Sequence, residues 1–145
     1  MDVVYEESQT KEVAEEILQR LGAAEGGARV LALSGELGAG KTTLVQHIAK
    51  LLGVTLPITS PTFVVMKQYD LFEGGFVHLY HIDAYRIESE SELEPLHFGT
   101  ILKEKQALII IEWAERIKTI LPGDTIWITI THNGTKRRLT LHANS

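Results

Sequence analysis

Residues 35–42 read Gly35-Glu36-Leu37-Gly38-Ala39-Gly40-Lys41-Thr42, which is the phosphate-loop pattern G-x-x-x-x-G-K-S/T. Glycines allow the backbone to turn its N–H groups inward around a polyphosphate without Cβ clashes. In such a loop the lysine reaches the β- and γ-phosphates, and the hydroxyl of the next residue coordinates Mg²⁺. The pattern predicts a nucleoside triphosphate site formed by residues 36–43, with Lys41 as a catalytic cation, Thr42 as a metal ligand and Thr43 beside them.

The residues on either side supply the strand and the helix that this loop requires. The continuous apolar run at 30–33 predicts a strand buried on both faces. After the loop, apolar residues at helical spacing predict a helix that ends at Gly53: Leu44, Val45, Ile48, Leu51 and Leu52. The N-terminus of such a helix favours a bound anion. An ordinary glycine-rich turn would not require Lys41 and Thr42 at the start of the helix.

The remaining patterns predict further elements on both sides of this unit. Helices are expected at 10–21, after the capping-box residue Ser89, and at 114–120. Strands are expected at 3–5, 62–69, 76–83, 107–111, 125–131 and 138–142, the last two joined by a turn at Asn133-Gly134. We therefore predict one α/β domain over residues 1–145. Its fold should be the three-layer P-loop NTPase type, with one mixed parallel and antiparallel sheet and a C-terminal hairpin.

Composition narrows the classes of function. The 145 residues are 44% apolar and 23% charged, as in an average globular protein. No apolar run approaches the ~20 residues of a membrane span, and the acidic N-terminus lacks the features of a secretory signal, so a cytoplasmic protein is expected. A net charge of −5 disfavours independent binding of DNA or RNA. The basic cluster at 136–138 is interpreted as a solvated hairpin tip.

A carboxylate at the end of a buried run is the first candidate partner for the loop. Glu112 follows the apolar residues 107–111, at the end of a strand where open α/β sheets place ligand groups. It could hold Mg²⁺ or activate water, or it could be an acid at a helix N-terminus. The neighbouring Trp113 could report on the nucleotide or pack in the core.

Other polar residues near strand ends are candidates for the same site. His81 and Asp83 share one strand face, and they could reach the metal shell or a catalytic water, or hydrogen-bond to each other. Ser60 and Thr62 carry hydroxyls in a loop that could sense the γ-phosphate. Arg86 is the one arginine attached to such a segment, and so the one candidate in the chain for neutralising the transferring phosphate.

Four motifs in order resemble the TsaE family, the small bacterial ATPases of tRNA threonylcarbamoyladenosine synthesis. They are residues 35–43, Ser60-Pro61-Thr62-Phe63, His81-Ile82-Asp83-Ala84-Tyr85-Arg86 and Glu112-Trp113. The resemblance implies ATP hydrolysis with Mg²⁺ and work with the partner proteins TsaB and TsaD. Those partners transfer a threonylcarbamoyl group to the adenosine next to the anticodon in tRNAs reading codons that begin with A. The TsaE-like protein would meet tRNA only indirectly.

The resemblance also implies roles for single residues. It assigns Mg²⁺ to Thr42 and Glu112 and switch behaviour to residues 60–63. It makes Asp83 an essential residue and Trp113 a residue whose surroundings respond to the nucleotide. The adenine pocket would form partly near the start of the first helix, so the region Ser8–Thr10 is the candidate, with Thr10 as its site residue. Residues 92–99 depart from the spacing expected of the family.

Three other functions compete with a hydrolase. A small P-loop kinase would bring several arginines to the phosphate and close a lid, whereas here the arginines are few and scattered. A GTPase is disfavoured because no Asn-Lys-x-Asp segment is present. A nucleotide-dependent adaptor without catalysis is the third. For a hydrolase we expect weak activity alone and stimulation by partners that supply an arginine.

Overall fold

The computed structural model describes residues 1–22, 26–36, 38–58, 65–73 and 75–143. Within these ranges seven strands form one sheet in the order β1-β7-β6-β2-β5-β4-β3. The strands are β1 (Asp2–Tyr5), β2 (Arg29–Gly35), β3 (Met66–Asp70), β4 (His78–Asp83), β5 (Ala107–Glu112), β6 (Ile126–Asn133) and β7 (Lys136–Ala143). The sheet and its neighbouring helices confirm the predicted mixed α/β fold.

The centre of the sheet is parallel and its edges are antiparallel. β2 pairs in parallel with β5 and β6, and β4 pairs in parallel with β5, whereas β1–β7, β6–β7 and β3–β4 are antiparallel. In the register, Glu112 lies between Leu33 of β2 and Asp83 of β4. The carboxyl ends of β2, β5 and β4 therefore meet at one edge, and the phosphate loop begins there.

Helices cover both faces of the sheet. They are α1 (Thr10–Leu21), α2 (Lys41–Leu51), α3 (Phe98–Ile101) and the 3₁₀ helices Glu7–Gln9, Glu90–Leu96 and Ala114–Ile120. One buried cluster joins α1 and α2 to the side chains of Leu31, Leu33 and Ile110. A second cluster on the opposite face joins α3 and the two later 3₁₀ helices to Val30, Ala32 and Ile109. Successive residues of each central strand thus pack into cores on opposite faces of the sheet. The sheet with helices on both faces forms the predicted three layers.

Most predicted elements are confirmed within one to four residues. The helix at 10–21 has those bounds, and it ends at Gly22, whose φ is +68°. Ser89 forms the predicted capping box, but the helix is 3₁₀, and it contains Pro95, which cannot donate an α-helical hydrogen bond. Residues 62–64 of the predicted strand 62–69 lie outside the described residues. No helix of the described ranges is long and apolar enough to cross a bilayer.

The C-terminal hairpin is confirmed with a small shift of its turn. Asn133 pairs with Lys136, so the two connecting residues are Gly134, with φ of +65°, and Thr135. The basic cluster at 136–138 directly follows this turn at the start of β7; Lys136 and Arg138 are exposed, as a solvated hairpin tip requires, whereas Arg137 is half-buried.

Candidate nucleotide-binding site

The phosphate loop uses its glycines where the backbone demands them. Gly35 has φ of +139°, and a Cβ there would lie 2.1 Å from the carbonyl oxygen of Ile130. Gly38 and Gly40 have φ of +75° and +105°, which L side chains rarely adopt. Leu37 lies outside the described residues. The tight exit from β2 and the turn into α2 thus account for these three positions of the motif.

Lys41, the first residue of α2, folds back over the loop. Its Nζ donates hydrogen bonds to the carbonyl oxygens of Gly35, at 2.8 Å, and Glu36, at 2.9 Å. The side chain is buried, and burial lowers the pKa of Lys41, while the carboxylates of Glu112, Glu115, Asp83 and Glu36 act in the opposite direction. A cation is therefore held at the mouth of the loop, within reach of an anion bound there.

Glu112 receives a contact on each carboxylate oxygen. Thr42 Oγ1 donates to Oε1 at 2.9 Å, and His81 Nε2 lies 2.6 Å from Oε2. Glu112 is 4% exposed and His81 is fully buried, so the carboxylate depends on these partners for its solvation. Glu112 also lies two residues before the 3₁₀ helix Ala114–Ile120, so its position agrees with the alternative of an acid at a helix N-terminus as well. The structure brings together the two residues, Thr42 and Glu112, that the resemblance assigns to Mg²⁺.

These donor atoms fit a magnesium ion. Mg²⁺ prefers hard oxygen ligands, usually one or two carboxylates together with water and phosphate oxygens. The Thr42 hydroxyl and the Glu112 carboxylate are such ligands, and they already lie in contact beside the phosphate loop. A buried carboxylate with one hydroxyl and one imidazole as partners would also gain from a bound cation.

His81 and Asp83 do not pair with each other. Among the described residues His81 Nδ1 has no hydrogen-bond partner, and its Nε2 is engaged by Glu112. Asp83 Oδ1 instead accepts a hydrogen bond from the backbone N–H of Tyr85 at 2.9 Å, which shapes the turn after β4. The alternative of a His–Asp hydrogen bond is therefore wrong, because the partner of His81 is Glu112.

Trp113 links the loop to the surface through aromatic contacts. Its ring centre lies 4.2 Å from Lys41 Nζ and 4.9 Å from the ring centre of Tyr85. Arg116 Cζ lies 5.5 Å from the centre of the Tyr85 ring. Trp113 has φ of +59°, a conformation that costs about 1–3 kcal/mol in a residue with a side chain. It also packs against the second core, as one of its two interpretations expects, while a response to the nucleotide stays a prediction.

Arg137 contacts the loop although the sequence analysis did not select it. Its Nη1 donates to the carbonyl oxygen of Ala39 at 2.9 Å, and Nη2 lies 3.8 Å from Glu7 Oε2. A Cβ at Gly40 would lie 3.0 Å from Arg137 Nη1, so the glycine makes room for the guanidinium. The signal for this contact is the period-two pattern that places Arg137 on the same strand face as the buried Leu139.

The other candidate residues take different places. Thr10 is buried and its hydroxyl donates to the carbonyl oxygen of Glu7 at 2.7 Å, so it reaches the loop only through Glu7 and Arg137. Thr43 is half-buried in the first turn of α2. Arg86 is exposed and has no hydrogen bond or ion pair with any residue that the structure describes. Ser60 and Thr62, with the rest of the segment 60–63, lie outside the described residues.

Comparison with known proteins places the chain in one family. The family described as "Threonylcarbamoyl adenosine biosynthesis protein TsaE" matches residues 4–140. The chain is 40% identical, over 75% of its length, to the tRNA threonylcarbamoyladenosine biosynthesis protein TsaE of Bacillus subtilis, and the match spans 65% of that relative. It is 33% identical to the TsaE protein of Rickettsia conorii, over 96% of this chain and 75% of the relative.

A solved structure extends the likeness to the fold. The crystal structure of YdiB from Bacillus subtilis superposes with a TM-score of 0.69 and 28% sequence identity, covering 100% of this chain and 87% of YdiB. The family match, the relatives and the fold point in one direction, and the chain belongs to the TsaE family of threonylcarbamoyl adenosine biosynthesis proteins.

Proposed function

We propose that this protein binds ATP with Mg²⁺ at residues 35–43 and hydrolyses it to ADP and phosphate in support of tRNA threonylcarbamoyladenosine synthesis. The observation that carries the proposal is the contact between the hydroxyl of Thr42, next to Lys41 at the start of α2, and the buried carboxylate of Glu112. A hydroxyl, a carboxylate and a lysine beside a phosphate loop are the groups that P-loop hydrolases use.

Each residue of the site then has a defined task. The loop N–H groups and Lys41 bind the β- and γ-phosphates, and Thr42 and Glu112 hold Mg²⁺, which neutralises charge on the phosphate oxygens. His81 orients the Glu112 carboxylate through the contact between Nε2 and Oε2. Asp83 lies next to Glu112 in the sheet register and is half-buried, which suits a residue that orients the attacking water.

The hydrolysis step needs charge stabilisation that the described residues supply only in part. Water forms a bond to the γ-phosphorus while the bond to the β-phosphate oxygen breaks, and negative charge develops on that oxygen. Arg137 contacts a carbonyl of the loop, and Arg86 is exposed. An arginine supplied by a partner can be worth ~10³–10⁵ in rate, so the protein should be slow alone.

The partners that we propose are TsaB and TsaD, which would carry out the transfer of the threonylcarbamoyl group. ATP binding would favour one arrangement of the surface that meets them, and hydrolysis would release it. An acidic chain fits contact with these proteins better than direct contact with tRNA. Such a complex would act in the cytoplasm, together with the tRNAs it modifies.

Phosphate release from ATP, by the protein alone and with purified TsaB–TsaD, tests the proposal without tRNA. We expect slow release alone, a large increase with the partners, and loss of both in Glu112→Gln. Transfer of the γ-phosphate to an added nucleoside or metabolite would identify a kinase. Partner binding that responds to ATP without any phosphate release would identify an adaptor.

A further inference from the structure

An exposed aromatic ring lies at the end of the stack that begins at Lys41. Tyr85 is 46% exposed, although its ring lies near both Trp113 and Arg116. Both flanking segments follow neighbouring parallel strands, and the hydrogen bond from the N–H of Ala84 to the carbonyl of Glu112 ties them together. The ring is thus held in place on the surface next to the nucleotide site.

Arg86 and Arg116, the two arginines near Tyr85, differ from the other four arginines in having no carboxylate partner among the described residues. Arg20, Arg29, Arg137 and Arg138 each lie within 4 Å of a carboxylate. Arg86 and Arg116 are exposed, and within the part of the chain that the structure describes neither pairs with a carboxylate. Tyr85 therefore has two exposed arginines near it, Arg86 as its neighbour in the chain and Arg116 with Cζ 5.5 Å from the ring, whose charge is available to another molecule.

The chemistry of this surface fits a protein better than a nucleic acid. Tyrosine and arginine are the residue types that carry much of the binding energy in protein interfaces. The same two segments also expose Glu88 and Glu115, which would repel the continuous charge of an RNA backbone. Separate carboxylates on a partner protein can meet the two guanidiniums and avoid the two acids.

The stack also connects this surface to the nucleotide site. Trp113 is in contact with Lys41 on its inner side and with Tyr85 on its outer side. A nucleotide that draws Lys41 away would change the packing of Trp113, and so would a partner that covers Tyr85. By thermodynamic linkage, each ligand then alters the affinity for the other by the same factor.

We propose that Tyr85, Arg86 and Arg116 form a docking surface for an acidic segment of a partner protein, and that Trp113 couples its occupancy to nucleotide binding at Lys41. The coupling rests on the proposed function, because it requires Lys41 to bind the nucleotide. The docking surface rests on it through the proposed partners TsaB and TsaD, but it does not require nucleotide binding.

Charge reversal tests the docking surface. Binding of purified TsaB–TsaD to the full chain should weaken about tenfold or more in Arg86→Glu and in Arg116→Glu, as expected for charged interface residues. The matched control is Arg20→Glu, which removes an exposed arginine from the far end of α1 and should change binding by less than about twofold. If both variants bind TsaB–TsaD as tightly as the control does, and their circular dichroism is normal, the docking surface is overturned. Loss of tRNA binding with unchanged TsaB–TsaD binding overturns it as well.

The coupling is tested with a slowly hydrolysed ATP analogue and Mg²⁺. In the wild type, TsaB–TsaD should change the analogue's Kd by about fivefold or more. Tyr85→Phe keeps the ring and should keep this factor, whereas Tyr85→Ala should bring it within about twofold of unity. A wild-type chain that binds no analogue overturns the proposed function itself. If the wild type binds the analogue, and TsaB–TsaD changes the Kd of Tyr85→Ala by the same factor as that of the wild type, only the coupling is overturned.

Discussion

His81 Nε2 lies 2.6 Å from Glu112 Oε2, in a contact that is closed to solvent on both sides. The other oxygen of the same carboxylate accepts the hydroxyl hydrogen bond of Thr42. His81 therefore fixes the orientation of a group that is proposed to hold Mg²⁺, without having to contact the metal itself. Such supporting contacts orient the first ligands of a metal in many proteins.

Replacing His81 should weaken magnesium binding more than nucleotide binding. His81→Asn removes the contact to Oε2, so the Mg²⁺ concentration for half-maximal turnover should rise about 10- to 100-fold. His81→Gln, whose amide reaches further, should restore part of the loss. His78→Asn is the control, because His78 lies at the other end of β4 and pairs with Glu104. An unchanged magnesium requirement in His81→Asn would assign His81 to the core alone.

Glu112→Gln should separate binding from turnover. The amide keeps the shape of the side chain but removes the negative charge, so ATP should still bind while turnover falls. The loss should correspond to several kcal/mol of transition-state stabilisation. Glu115→Gln removes an exposed carboxylate three residues further on, and it should leave turnover close to wild type. Wild-type turnover in Glu112→Gln would return Glu112 to a role in capping a helix.

Arg137 and Arg138 are neighbours in β7, and because their partners differ, each variant is a control for the other. Arg137 donates to the loop carbonyl of Ala39, whereas Arg138 pairs with Asp2 at the edge of the sheet. Loss of the loop contact, worth about 1 kcal/mol, should weaken ATP binding about fivefold in Arg137→Ala. Arg138→Ala should leave the affinity unchanged. Equal affinities of the two variants, measured by calorimetry, would show that the contact does not shape the loop.

Glu104 should make stability depend on pH at the opposite end of β4. Burial raises the pKa of Glu104, but hydrogen bonds from Tyr80 and His78 outweigh this and hold it below its usual value of 4.5. Burial and Glu104 also raise the pKa of Tyr80 to about 12, so its hydroxyl remains a donor. Because the folded-state pKa is the lower one, ionised Glu104 stabilises the fold above the unfolded-state pKa. This contribution is lost as pH falls through the folded-state value.

Urea unfolding of Glu104→Gln checks this expectation. The variant should lose about 1 kcal/mol near neutral pH, and its difference from wild type should shrink in acid. Glu94→Gln, an exposed acid in the 3₁₀ helix Glu90–Leu96, should show neither effect. A constant difference across the pH range would mean that Glu104 acts only by packing.

The sequence predicts those parts of the molecule that depend on short segments. The phosphate loop is a local pattern, and the apolar runs at 30–33 and 107–111 correspond to the central strands β2 and β5, because a strand covered on both faces needs apolar residues at every position. Glu112 is a candidate because it ends such a run. The family resemblance implies that Thr42 and Glu112 share one metal ion, and their contact in the structure follows from the parallel register of β2 and β5.

Contacts between distant strands are not specified by local sequence patterns. His81 meets Glu112 only because β4 and β5 pair in one register, and a shift by one residue would move His81 to the other face. Arg137 reaches Ala39 because the C-terminal hairpin returns beside β2, which no local pattern specifies. The left-handed backbone of Trp113 likewise depends on its packing between Lys41 and the second core.

Calorimetric titration with ATP and Mg²⁺, comparing Lys41→Ala with wild type, tests the nucleotide site most directly. Lys50→Ala removes an exposed lysine from the last turn of the same helix and serves as the control. We predict that wild type and Lys50→Ala bind ATP with equal affinity, and that Lys41→Ala binds it much more weakly and releases no phosphate, because the cation at the β- and γ-phosphates is gone. Unchanged affinity and normal turnover in Lys41→Ala would contradict the assignment of residues 35–42 as the nucleotide site.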